Sequence, residues 1–161
     1  MRWLDGRELE DAQFWLKAGA SNGFGHSRCE RDKRGAVIVD SKQRLVGSGY
    51  NALPKYERCN PKSCEPTCRY TAIHAEVRAI GDARRLFPER LEGSIIYPAH
   101  VDRETGKILD SRTPHEKACE ICAPVMAEAG IAGIVLKHTG GIAFYTIEEY
   151  SLEAERQRGS R

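Results

Sequence analysis

The chemistry-bearing residues of this chain stand in two short stretches: a histidine and a carboxylate two residues apart in "HAE", His74 to Glu76, and two thiols three apart in "CEIC", Cys119 to Cys122. Cysteines at i and i+3 leave one helical turn on the same side, and the unpaired N–H groups at a helix N-terminus favour thiolate. Alone, such a pair is a moderate signal, with buried or redox-active thiols as its plain reading. A histidine from a second helix start brings the set to three zinc ligands and leaves a fourth tetrahedral position for water, which separates a catalytic zinc from a structural one. Glu76 then has a use. Zinc lowers the pKa of its bound water, and a carboxylate beside the metal relays the proton to a leaving group. Residues two apart on a regular helix diverge by about 200°, so His74 and Glu76 can serve one centre only from the first turn.

The remaining four of the six cysteines are Cys29, Cys59, Cys64 and Cys68. Three of them sit in "ALPKYERCNPKSCEPTCRY", which is long for a structureless connection inside one domain, so something must hold it. The four thiols together could close a structural zinc site, and His26, His100 or His115 could replace one of them; unligated thiols are the plain alternative. A cytoplasmic chain with this many cysteines is expected to hold metal sooner than disulfides.

These residues need elements to position them. "TAIHAEVRAI" carries Ile73, Val77 and Ile80 at i, i+4 and i+7, the rhythm of a helix with one face on a core, and a helix is expected from about His74 to Arg85. An earlier amphipathic helix has Leu9, Ala12, Leu16 and Ala20 near helical spacing, Asp5 as N-cap and Gly23 as stop. "GAVIVD" and "LVGSGYN" read as two strands of a hairpin around a short polar turn. A strand is expected from Gly93, and further strands in "IAGIVLKH" and "GIAFYTI". The third helix should begin close to Cys122, because Pro124 cannot stand deep in a helix. A last helix from Glu148 should fray into a polar tail from about residue 152. Between them, Val101 to Lys117 suggests an added hairpin turning at Thr105 and Gly106. Strands alternating with helices predict an α/β sandwich, and 161 residues without linker or repeat predict a single domain, 1–161.

Composition sets the outer limits. Net charge is +2, from 25 basic and 23 acidic residues, too balanced for a chain that neutralises many backbone phosphates at once, so nucleic acid is unfavoured without being ruled out. The basic run "RCERDKR" is interrupted by acids and reads as a solvated turn. No apolar run approaches a membrane span, and the acids in the first turns of the N-terminus do not suit a secretion signal, so a cytoplasmic location is expected.

"HAE" followed by "CEIC" resembles the zinc-dependent nucleoside and nucleotide deaminases, whose signature is H-x-E and then P-C-x-x-C. The likeness extends over roughly residues 8 to 137, and "GAVIVDSKQRLVGSGYNALP" with its cysteine-bearing loop is most similar to the deoxycytidylate deaminases. It implies a three-layer α/β/α sandwich around a five-stranded mixed sheet. It implies His74, Cys119 and Cys122 on a catalytic zinc, Glu76 as general acid/base, Asn51 on the substrate sugar and backbone near Ala75 on the ring carbonyl. Some members carry a second zinc where the cysteine-rich loop lies. The expected activity is hydrolytic deamination of a free cytosine nucleotide, deoxycytidylate first, by a homo-oligomer with no membrane partner. A nucleic-acid adenosine or cytosine deaminase is the enzymatic alternative, and a zinc-stabilised interaction module the non-catalytic one. Glu76 argues against the latter, since a structural site has no use for it. Ala118 replaces the usual proline, and the long interval between His74 and Cys119, supplied by Val101 to Lys117, puts that segment at the rim of the site.

Overall fold

The computed structural model describes residues 1–54, 59, 72–110 and 119–159. Its elements in chain order are β1 (Arg2–Trp3), α1 (Gly6–His26), β2 (Lys33–Val39), β3 (Leu45–Tyr50), α2 (Ala75–Leu86), β4 (Ile95–Val101), α3 (Cys122–Glu128), β5 (Gly133–His138), β6 (Gly141–Thr146) and α4 (Ile147–Gly159). A 3-10 turn, Pro88–Arg90, follows α2.

The strands form one mixed sheet in the order β1-β6-β5-β4-β2-β3. Only β4 and β5 run parallel; the crossover between them contains α3. Strand periodicity divides the side chains between two faces. Val37, Val39, Tyr97 and Val135 meet Ala12 and Leu16 of α1. Ala36, Ile38, Ile96 and Ile134 meet α2, α3 and α4 through Ala79, Ile80, Met126 and Ala154. The three layers are those expected.

The sheet has six strands where five were expected, because Arg2 and Trp3 pair with Phe144 and Ala143 at its edge. Two residues are too few to show a strand period. Helix α1 also differs, running three residues past Gly23 to His26. Gly23 is buried inside it, where a Cβ would stand 2.5 Å from the amide nitrogen of Gly35. That glycine lets the helix lie directly on β2 and does not end it. Asp5 holds the N-cap position but makes no capping bond with its side chain.

The opposite face shows the same device where it bears on the site. A Cβ on Gly49 would come within 2.2 Å of the Ala75 carbonyl oxygen, and one on Gly47 within 2.4 Å of that of Ala79. Helix α2 therefore rests on the backbone of β3, which fixes the height of its N-terminus above the sheet. The added hairpin is present in its described part: Val101 bridges Ile108, the Asp102 N–H donates to the Lys107 carbonyl, and Gly106 takes the left-handed φ of +71° that the turn requires. Its continuation, 111–118, lies outside the described residues. The last helix continues through Gly159, with Ala154 buried. Among the described residues, no helix is long and apolar enough to cross a membrane.

Candidate metal centre and adjoining cleft

His74 precedes α2 with extended backbone, φ −69° and ψ 152°, while its carbonyl already accepts the Arg78 N–H. It is therefore the N-cap, so the 200° divergence of a regular helix does not apply to the pair it makes with Glu76. The imidazole swings across to α3, where Nδ1 lies 3.2 Å from Cys122 Sγ and 3.3 Å from Cys119 Sγ. Cys122 is the first residue of α3 and fully buried; Cys119 stands on the turn before it. Pro124 falls in the first turn, where its missing N–H costs no helical bond.

Three further bonds hold the cysteine turn. The Ala123 N–H donates to the Cys119 carbonyl, the Cys122 N–H donates to Cys119 Sγ at 3.3 Å, and the Cys119 N–H donates to the Tyr150 hydroxyl of α4 at 2.8 Å. The Cys122 contact, with that to His74, draws the Cys119 pKa down to about 4, despite its burial. The Cys122 thiol is pushed up by the same pairing and by its own burial, and the Cys119 contact raises His74.

The donor chemistry fits zinc. One imidazole nitrogen and two sulfurs lie within 4.8 Å of one another, and a tetrahedral zinc with bonds of about 2.0–2.3 Å spaces its ligand atoms roughly 3.5–3.8 Å apart. This is the only group of three or more His, Cys, Asp or Glu so placed among the described residues. Glu76 lies in the first turn of α2, only 8 % exposed, and its carboxyl adds to the rise of the Cys122 thiol.

Beside the cluster, a cleft is lined by Glu76, Arg34, His100, Lys137 and Tyr150. Arg34, the second residue of β2, lies on the face of Ala36 and Ile38, and its Nε and Nη2 donate to Asp32 Oδ2 at 3.1 and 2.9 Å. His100, opposite Arg34 on β4, pairs through Nε2 with the other Asp32 oxygen. Burial works against Asp32, yet His100 and Arg34 hold its carboxyl well below the usual range; Arg34 is raised in turn because Asp32 outweighs its own burial. The stretch that reads as a solvated turn therefore ends inside the cleft. Its sequence signal was the parity of Arg34 with two buried strand positions. Tyr150 offered only its helical spacing to Ala154.

The other named residues are placed as follows. Asn51 Oδ1 accepts from the Ser27 hydroxyl and the Arg34 N–H, and Nδ2 donates to the Asp32 carbonyl at 2.6 Å. Its side chain thus ties three loop ends together, with one N–H left over. Ala75 is the first residue of α2, so its N–H has no carbonyl to bond within the helix. Cys29 and Cys59 border one pocket; the Glu30 N–H donates to Cys59 Sγ and the Asp32 N–H to Cys29 Sγ. Cys64, Cys68 and His115 lie outside the described residues, whereas the His26 ring lies tilted against Tyr50 and His100 is engaged by Asp32.

Comparison with known proteins places this geometry. The family model for the cytidine and deoxycytidylate deaminase zinc-binding region matches residues 10–138. Among solved structures, the dCMP deaminase of cyanophage S-TIM5 in apo form is 22 % identical, covers 78 % of this chain and 80 % of its own, and gives a TM-score of 0.54. The same phage enzyme in complex with dCMP and dUMP gives 0.52 at 20 % identity, covering 81 % and 82 %. The cytidine deaminase of Burkholderia pseudomallei gives 0.54 at 18 % identity, covering 84 % and 92 %. At such identities the likeness is one of fold. No curated protein matches this chain.

Proposed function

This chain belongs to the cytidine and deoxycytidylate deaminase zinc-binding family, and we propose that, as a zinc-dependent deaminase, it acts on a free cytosine nucleotide, deoxycytidylate first, releasing ammonia. The observation that carries the reading is Glu76: a carboxylate buried against a His–Cys–Cys cluster that is complete without it. A structural metal site gains nothing from such a group, whereas hydrolysis of a ring amine requires one.

His74, Cys119 and Cys122 would hold the metal, which supplies Lewis acidity that activates water at neutral pH. Glu76 would take a proton from the attacking water and hand it to the ring nitrogen beside the amine-bearing carbon, and would then carry the remaining hydroxyl proton to the departing amine. The new carbon–oxygen bond becomes a carbonyl as the carbon–nitrogen bond breaks. The Ala75 N–H, free at the helix start, donates to the ring carbonyl, and Asn51 supports the sugar with its remaining N–H. Buried Tyr150 fixes the Cys119 backbone and thereby the metal side of the site. The whole chain acts as one domain and assembles as a homo-oligomer, with a second zinc held by Cys29, Cys59, Cys64 and Cys68.

The test is ammonia release by the zinc-loaded protein across free nucleotides, nucleosides, bases and single strands. Turnover confined to cytosine nucleotides supports the reading. Preference for a nucleic-acid strand favours the alternative, and none on any substrate leaves an interaction module.

A further inference from the structure

The strongest feature outside the proposed machinery is the Asp32–Arg34–His100 chain on the cleft wall facing Glu76. Arg34 is half-buried, and two of its five N–H bonds go to Asp32. Its Nη1 has no hydrogen bond to any described residue. Asp32 is itself backed by His100 from the neighbouring strand, so the Nε–Nη2 edge of the guanidinium is held by a carboxylate that is in turn held. Arg34 and Glu76 line the same cleft, and Arg34 lies within electrostatic range of both Glu76 and Cys119. The other long cation there, Lys137, is occupied by Asp110 and by the Ile108 carbonyl.

We propose that Arg34 is a specificity-determining residue that donates from Nη1 to an oxygen carried by the substrate ring next to the nitrogen Glu76 protonates. This rests on the deaminase reading above and deepens it. A preorganised, half-buried guanidinium suits an acceptor whose charge grows during reaction, and a ring carbonyl has two lone pairs, one for the Ala75 N–H and one for Arg34. Cytosine carries such an oxygen on the carbon flanking the reacting amidine. Adenine carries only hydrogen there and would leave the guanidinium unpaired, which a site built for hydrogen bonding penalises strongly. A nucleotide's phosphate sits a sugar away from the ring, so Arg34, coupled to Glu76 and Cys119, faces the wrong end of the substrate to read it. Asp32 and His100 are positioning residues for this contact.

The experiment compares deoxycytidylate, deoxycytidine and the 2-thio analogue of deoxycytidine, whose sulfur is a poor acceptor, as substrates of wild type, Arg34→Met and Arg34→Lys, with zinc content and melting temperature confirming that each folds. Wild type should prefer the oxygen compound over the sulfur compound by about 10- to 100-fold in kcat/KM, the range of a hydrogen bond to a charged group. In Arg34→Met that ratio should shrink towards one while the nucleotide-to-nucleoside ratio stays, and Arg34→Lys should recover part of it. Asp32→Asn should lose part of the oxygen preference with its charge intact at Arg34. A collapse of the nucleotide-to-nucleoside ratio would reassign Arg34 to the phosphate, and an unchanged oxygen-to-sulfur ratio in folded Arg34→Met would overturn the proposal. A wild type inactive on every cytosine compound would instead overturn the deaminase assignment of substrate itself.

Discussion

His74 Nδ1 lies 3.2 Å from Cys122 Sγ although 48 positions of sequence separate them. The contact exists because α2 rests on a β3 without side chains at Gly47 and Gly49, and α3 begins beside it at Cys122. Two helix starts meet at one point above the sheet.

Glu76→Gln should retain zinc and fold while losing turnover. The amide cannot carry a proton, and the loss should be at least the roughly 10²-fold usual for a general acid/base. Near-normal activity in a zinc-loaded variant would remove Glu76 from the mechanism.

Gly49→Ala should lower stability by about 1–3 kcal/mol, the usual cost of overpacking, because its Cβ meets the Ala75 carbonyl at 2.2 Å. The strain falls on the first turn of α2, so zinc affinity should weaken together with the melting temperature. Calorimetry and a competitive chelator titration measure the two; a fall in neither would mean that α2 is free to shift.

Zinc analysis should find two ions per chain in the wild type. Cys122→Ala should remove one and abolish activity with only partial loss of stability. Cys59→Ala should remove the other and lower the melting temperature, since a closed site's binding energy serves folding. One ion in the wild type, still present in a thermally unchanged Cys59→Ala, would dismiss the second site.

Shortening the hairpin turn at Arg103–Gly106 while keeping Ile108 should leave the fold intact and alter substrate choice. The turn is exposed, while Ile108 packs against Val101 and Ala99. An identical substrate profile would move the segment away from the rim.

Asp32→Asn should destabilise the protein at neutral pH and progressively less in acid. The folded carboxyl is depressed by His100 and Arg34 against its burial, so its contribution is complete above the ordinary aspartate value of about 3.9 and fades as pH falls below it. Melting curves of both proteins against pH should converge towards the acid end; a constant gap would place the effect in packing.

The sequence by itself pointed to His74, Cys119 and Cys122 as candidate donors, because a His and two Cys at helix starts are legible as residue types and spacings, and it determined the layered fold, because apolar periodicities of 2 and 3.6 mark strands and helices wherever an element is long enough. It missed β1, two residues whose pairing with β6 is non-local, and it misplaced Gly23, whose reason lies in the backbone of Gly35 across the layer. Only tertiary structure could decide that Arg34, one charge in a mixed basic run, turns inward: that depends on which face of β2 meets α2, and on His100 standing opposite it on β4 to hold Asp32. Local spacing records what a residue can do, whereas the company it keeps across a sheet is set by register and packing, which no short window of sequence contains.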